Sequence, residues 1–293
     1  MGKASRRKKI AHVANRPAPR AVIPFVERPY EGLSAEKELV AMREIIPCAT
    51  MSARTTAQYG DLEFDIVTLL PDGVAAMVRG DGRILVGLQT RNNSGDLSHD
   101  AGAALLAAIA AKEAGNDGVV TTDVREPAPR LQELLVADGF GPMELTADYG
   151  YWFDPAEELD ADTRSALERN REEVVPTEAV PGVDGMYWCE MNRNFVRILT
   201  DVDESKLFTA LARLQASGKA TLGDGSRFVG AFRACGIAIP VFELAEGATA
   251  TDIADDAKKL ADNLAAALKV TDPMTHDERR ARQGLVSRQV TIR

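Results

Sequence analysis

At 293 residues, with 45% apolar and 27% charged side chains, the chain can build one large domain or two medium ones around a real core. No stretch approaches the roughly 20 apolar residues of a membrane span. Cys48, Cys189 and Cys235 are scattered and odd in number, without a C-x-x-C, which argues against a disulfide framework or zinc site and fits a reducing cytoplasm.

The charge is unevenly placed. The opening "MGKASRRKKIAHVANRPAPR" carries Lys3, Arg6, Arg7, Lys8, Lys9, Arg16 and Arg20 and no acid, so a chain of net charge -9 has a remainder summing to -16. "SRRKK" is not a twin-arginine signal, because a polar, proline-broken stretch follows it. Nor does the start fit myristoylation, which wants Ser or Thr where Arg6 stands. Pro17, Pro19, Pro24 and Pro29 predict an extended tether, so residues 1–33 read as a disordered basic tail whose end Phe25 and Tyr30 anchor.

A first α+β unit is expected over 34–150. Ser34 is placed to cap a helix through "AEKELVAMREII", which Pro47 ends. In "DLEFDIVTLL", Leu62, Phe64 and Ile66 alternate with Glu63 and Asp65 as in a half-buried strand. "VAAMVRGDGRILVGLQT" reads as two strands around Gly80-Asp81-Gly82. Ser98 then caps "HDAGAALLAAIAAKEAG", a helix apolar almost all round and therefore buried. A strand at "GVVTTDV" and a helix at "PRLQELLVAD", stopped by Gly139, complete the unit.

Aromatics gather in "YGYWF" at 149–153. Ten acids then stand against three arginines over 154–184, predicting a short charged helix and a linker. The second unit, 185–272, repeats the grammar. "GMYWCEMNRNFVRIL" is a hairpin, and Asp203 caps "ESKLFTALARLQAS", ended by Gly218. "RFVGAFRACGIAIPVFEL" is a bent strand or a pair, and "TDIADDAKKLADNLAAALK" an amphipathic helix. Arg279, Arg280, Arg282, Arg288 and Arg293 make 273–293 a second, weaker basic tail. The fold class is α+β: two similar hairpin/helix units joined by an acidic linker.

"MYWCEMN", "KLFTALARLQASG" and "LGDGSRFVGAFRACGIAIPVFEL", with "RPYEGL" and the basic head, resemble an uncharacterised actinobacterial family catalogued under a domain of unknown function. Some members are labelled automatically as topoisomerase II or as the preprotein translocase motor. Both machines need an ATP site and a much longer chain. The resemblance implies no activity, cofactor or site residue.

Motifs for chemistry are weak. "SGKAT" at 217–221 lacks the first glycine and the hydroxyl of a phosphate loop and follows a helix, so Gly218 reads as a helix cap. "GDGSRFVG" precedes a strand, the wrong order for a dinucleotide site, and reads as a tight turn. A triad would depend on His99, since His12 and His276 fall in the tails. Asp61, Glu63 and Asp65 share a strand face, as a cation site or merely as an exposed one. Cys189 reads as a core thiol, and Arg227 and Arg233 as ion-paired rather than anion-binding.

Three functions follow. The first is a non-enzymatic cytoplasmic protein that grips RNA or the ribosome through its seven head cations, needing no cofactor, metal or membrane. A second is an adaptor whose head docks on an acidic protein surface or on its own 154–184 segment. The third is an enzyme with an unrecognised site between the units. An exposed aromatic beside the tail would favour RNA; a deep pocket containing His99 or Arg233 would favour an enzyme.

Overall fold

A computed structural model describes residues 22–291. The fold is α+β, with seven helices and two six-stranded sheets among the described residues. In the first half, helix α1 (Glu36–Glu44) leads into the antiparallel strands β1 (Ala49–Thr55) and β2 (Glu63–Val67). A second hairpin, β3 (Ala76–Val78) and β4 (Ile84–Gly87), precedes α2 (Leu97–Glu113) and β5 (Gly118–Val120). One turn of helix, α3 (Leu131–Leu134), runs straight into β6 (Leu135–Leu145).

The acidic stretch forms α4 (Ala161–Glu173), which buries no residue. The expected linker beyond it contains β7 (Thr177–Ala179), paired with β8 (Met186–Glu190). There follow β9 (Asn194–Ile198), α5 (Glu204–Ala216), β10 (Arg227–Ala234), β11 (Ile237–Glu243) and α6 (Ala254–Leu268). Residues expected as a basic tail instead carry α7 (His276–Val286) and β12 (Gln289–Thr291), which joins the sheet parallel to β10. Thr275 and Glu278 supply the reciprocal cap of α7, and Leu285 reaches the core, so the helix has both a start signal and an anchor.

The sheets run β5-β3-β4-β2-β1-β6 and β12-β10-β11-β9-β8-β7, the same arrangement of two hairpins and a later outer strand. Their directions differ. β4 is parallel to β2, whereas β11 is antiparallel to β9. The cause lies in the connection between hairpins: a short turned loop after β2 reverses the chain, while the crossover helix α5 after β9 returns it in the same direction.

Packing unites the halves. Phe64, Ile66 and Val86 on one face of the first sheet meet α1, α2 and, from the second half, Tyr187, Leu199, Ile237 and Ile239 in one apolar cluster. Leu39, Val40, Ala41 and Met42 point to all sides of α1 and are all fully buried. Burying each such side chain is worth roughly 1.5–3 kcal/mol for the larger ones, so α1 is the joint of the molecule. Val67, Met77 and Leu85 on the opposite face lie under Tyr151 and Trp152. Trp152 stacks on Tyr149 with centroids 4.8 Å apart and donates to the Leu69 carbonyl at 2.8 Å. Helices α5, α6 and α7 cover the second sheet through Val196, Phe228, Phe242 and their neighbours.

Three local expectations are corrected. Ser34 does not cap α1: the capping position is Ala35, without a side-chain bond, and the Ser34 N–H goes to the Ala137 carbonyl at 3.3 Å. At α2 the cap is Asp96, whose carboxylate accepts from the Ser98 and His99 amides. Ser98 is one position too far in, and its hydroxyl instead joins Gln132 at 2.6 Å and the Leu131 N–H at 3.0 Å. The helix expected through Asp138 lasts one turn and becomes β6, because β1 needs a partner on its outer edge. Gly139, Gly141 and Pro142 make continued helix costly, by about 1 kcal/mol for each glycine and 3 for the proline.

Candidate binding site at the root of the basic head

Lys3, Arg6, Arg7, Lys8, Lys9, Arg16 and Arg20 lie outside the described residues. What the structure fixes is the place where the head leaves the body. Residues 26–33, expected as a loose tether, form a strap tied to both halves. The Val26 N–H donates to the Gly95 carbonyl at 3.0 Å, and Tyr30 is 1% exposed. Arg28 grips Glu36 with two bonds of 2.6 and 2.8 Å and donates to the Asp201 carbonyl at 3.3 Å. Glu36 is itself buried, so this pair replaces the water its carboxylate has lost. The Pro29 carbonyl accepts from Arg130 and from Gln132, each at 2.8 Å.

On the other side the strap lies flat on the turn of the β10–β11 hairpin. That turn is Cys235-Gly236, with φ of +47° and +74°, the pair of positive values that a two-residue hairpin requires. A Cβ on Gly236 would stand 2.7 Å from Arg28 Cβ and 3.0 Å from the Glu27 carbonyl oxygen. Only a glycine admits the strap here.

Phe25 behaves differently from Tyr30. It was expected to anchor the tether, yet it is 73% exposed, and Val22 is 89% exposed. An open aromatic therefore stands on a clamped backbone at the root of the head.

Beside it, a cleft of about 540 Å³ opens between the halves, bounded by Phe25, Arg43, Glu44, Asn93, Arg233 and Cys235. Arg233 is spent: it bonds Glu204 twice at 2.7 Å and Glu27 at 3.3 Å. The Cys235 thiol is pushed up to about 12, by burial first and then by the Glu44 carboxylate, so it stays protonated near neutrality. The cleft has room for a ligand but no free cation at Arg233 and no thiolate.

Other candidates are likewise committed to structure. His99 is 4% exposed, holds Asp100 at 2.9 Å through Nδ1, and receives the Ala128 N–H at Nε2. It pins the loop before α3 to the start of α2. Arg83 neutralises Asp65, with bonds of 2.7 and 2.5 Å, and reaches Glu63 at 3.1 Å; Asp61 pairs with Arg54. Cys189 is buried, and burial raises its thiol. Arg227 differs: it pairs with Glu243 at 2.6 Å but shares that carboxylate with Arg193 and keeps 67% of its side chain exposed. Gly218 ends α5 with φ +71°, and Gly223 and Gly225 form a turn closed by the Ser226 hydroxyl, so neither glycine-rich stretch is a phosphate loop. No helix of the described residues is long and apolar enough to cross a membrane.

A family described as "Family of unknown function (DUF5926)" matches residues 29–293, from the strap onward. The chain belongs to this family. No curated protein and no solved structure matches it. The DUF5926 match thus takes in the clamps on the strap, Arg130, Gln132 and Gly236, and leaves the basic head outside. Sequence reasoning missed those clamps because their partners lie far along the chain. Only the break near Gly236 between two apolar runs was readable in advance.

Proposed function

We propose that this is a non-enzymatic RNA-binding protein that grips structured RNA, that of the ribosome first, through Lys3, Arg6, Arg7, Lys8, Lys9, Arg16 and Arg20. Three thiols without a disulfide framework fit a cytoplasmic setting. The observation that carries the reading is the exposed Phe25 on its clamped strap, next to a head with seven cations and no acid. Basic side chains neutralise phosphates without needing a fold, and an aromatic face beside them stacks an unpaired base. An acidic body limits contact to the head and to whatever basic surface the body carries.

Affinity purification from native cells, with and without ribonuclease, tests it. Ribosomal RNA and its proteins should co-purify and be lost on ribonuclease treatment. Co-purification that survives ribonuclease would select the second reading, an adaptor whose head docks on an acidic protein surface. One observation favours the form of that alternative in which the head docks on its own chain: Glu27, Asp201, Asp203 and Glu204 border a hollow of about 390 Å³ beside the root of the head.

A further inference from the structure

Three arginines, Arg193, Arg197 and Arg227, gather at one end of the second sheet. Its helix-covered face is packed with Trp188, Val196, Phe228 and Phe242. The opposite face is shared. Towards the hairpin turn, Ile239 and Ile237 join the central cluster around α1. Towards the other end, β-register sets Phe195, Glu243 and Arg227 in one cross-strand row and Arg197 and Val241 in the next. Phe195 and Val241 are half-buried and belong to no apolar cluster of the described residues.

Charge is out of balance there. Arg193 and Arg227 share the single carboxylate of Glu243 and keep 64% and 67% of their side chains exposed. Arg197 has no acid at all: its Nε and Nη2 are buried without a hydrogen-bond partner among the described residues. Burial pulls this guanidinium below its ordinary pKa, and Cys189 is the one titratable group acting on it. An unpaired, half-buried cation is costly unless an anion completes it.

We infer that this end of the sheet is a second RNA contact, stacking an unpaired base on Phe195 and pairing phosphates with Arg193, Arg197 and Arg227. A partly open aromatic face beside arginines on a sheet is a combination that holds single-stranded RNA, and here Phe195 is half-buried next to the exposed Arg193 and Arg227. An acidic peptide would answer the charge but leave Phe195 and Val241 unused. The inference rests on the RNA reading above and adds where the body takes part. Geometry links the two sites. The strap sits at the Gly236 turn, and Arg227 starts β10 at the far end of the same hairpin, up to about 30 Å away at 3.3 Å per residue. Twenty residues of chain have a contour of up to about 66 Å, so head and sheet can hold one RNA, each raising the effective concentration for the other.

The test uses the full chain and a fluorescent twelve-nucleotide oligouridine, titrated between 50 and 200 mM salt. Phe195→Ala and Arg197→Gln should each weaken binding about ten-fold, and Arg197→Gln should reduce the salt slope by roughly 0.7, one single-strand phosphate. Cross-linking of 4-thiouridine RNA to the unmodified protein needs no variant to fold and should label the peptide holding Phe195. Unchanged affinities, with cross-links confined to residues 1–21, would overturn the sheet contact and leave the head reading intact. Weakened binding in the sheet variants, with a head variant unaffected, would support the sheet contact and remove the head. No oligouridine binding, but capture of oligo-glutamate lost in Arg197→Gln, would assign the surface to an acidic protein and overturn the inference.

Discussion

At the scale of single residues, Gly236 and Gly247 form a natural pair. Both have left-handed backbones, with φ of +74° and +75°, but a Cβ at Gly247 meets nothing within 4 Å while one at Gly236 strikes the strap. Gly247→Ala should therefore cost only backbone strain, about 1 kcal/mol. Gly236→Ala should cost at least about 1 kcal/mol more, and urea unfolding of the two variants checks it; equal losses would mean that the strap does not rest on the turn. The buried acids make a second prediction. Burial raises the Cys48 thiol to about 11, the Cys235 thiol to about 12 and the Tyr151 hydroxyl to about 12, from ordinary values of 9.0, 9.0 and 10.0. Between those limits the unfolded chain has released protons that the folded chain still holds, so stability must fall as pH rises from about 9 towards 12. The urea midpoint should be level from pH 7 to 9 as far as these groups act and then decline. All three thiols should stay silent to a disulfide reagent at pH 8 until urea is added; prompt reaction in the native protein would show an accessible thiolate.

Elements were legible where local signals and tertiary needs agreed. The hairpins, the Asp203 cap of α5 and the stripe of α6 follow from period, turn residues and caps, and all stand in the structure. β6 failed because "PRLQELLVAD" has helical propensity, while pairing with β1 decides its state. The terminal helix α7 was hidden by its charge: it buries only Leu285 and is held by its caps. The strap was the least readable, since its proline pattern is that of a free tether and, the Arg28–Glu36 pair apart, the bonds that fix it come from residues far along the chain. Its stability is testable as an element. Chymotrypsin should leave the native chain uncut at the buried Tyr30 and accept Phe25. Arg28→Ala strands the buried Glu36 carboxylate and should lose about 3 kcal/mol, opening the Tyr30 site to the protease. Resistance at Tyr30 in that variant would mean that Arg28 is not what holds the strap.

For the molecule as a whole, the question is how one chain combines an acidic body with a basic head. Both halves share the cluster around α1, so the body is a single packed support, and the strap fixes on it the point from which the head departs. Net negative charge on the body repels nucleic acid at long range, which suppresses non-specific contact and leaves recognition to the basic sites. Replacing Arg6, Arg7, Lys8 and Lys9 with glutamine removes four of the seven head cations. Binding to structured RNA should weaken, and its salt slope should flatten by roughly three to four units, because each neutralised phosphate contributes about 0.7 to 0.9. The same substitution should leave the melting temperature within about one degree, since the clusters and the strap of the described residues are complete without these four side chains. Titration over a series of salt concentrations, beside a thermal scan, separates the two effects. A variant that keeps the full salt slope would show that phosphates are held elsewhere, on the arginines of the second sheet or not at all. A variant that loses several degrees would show that the head packs on the body.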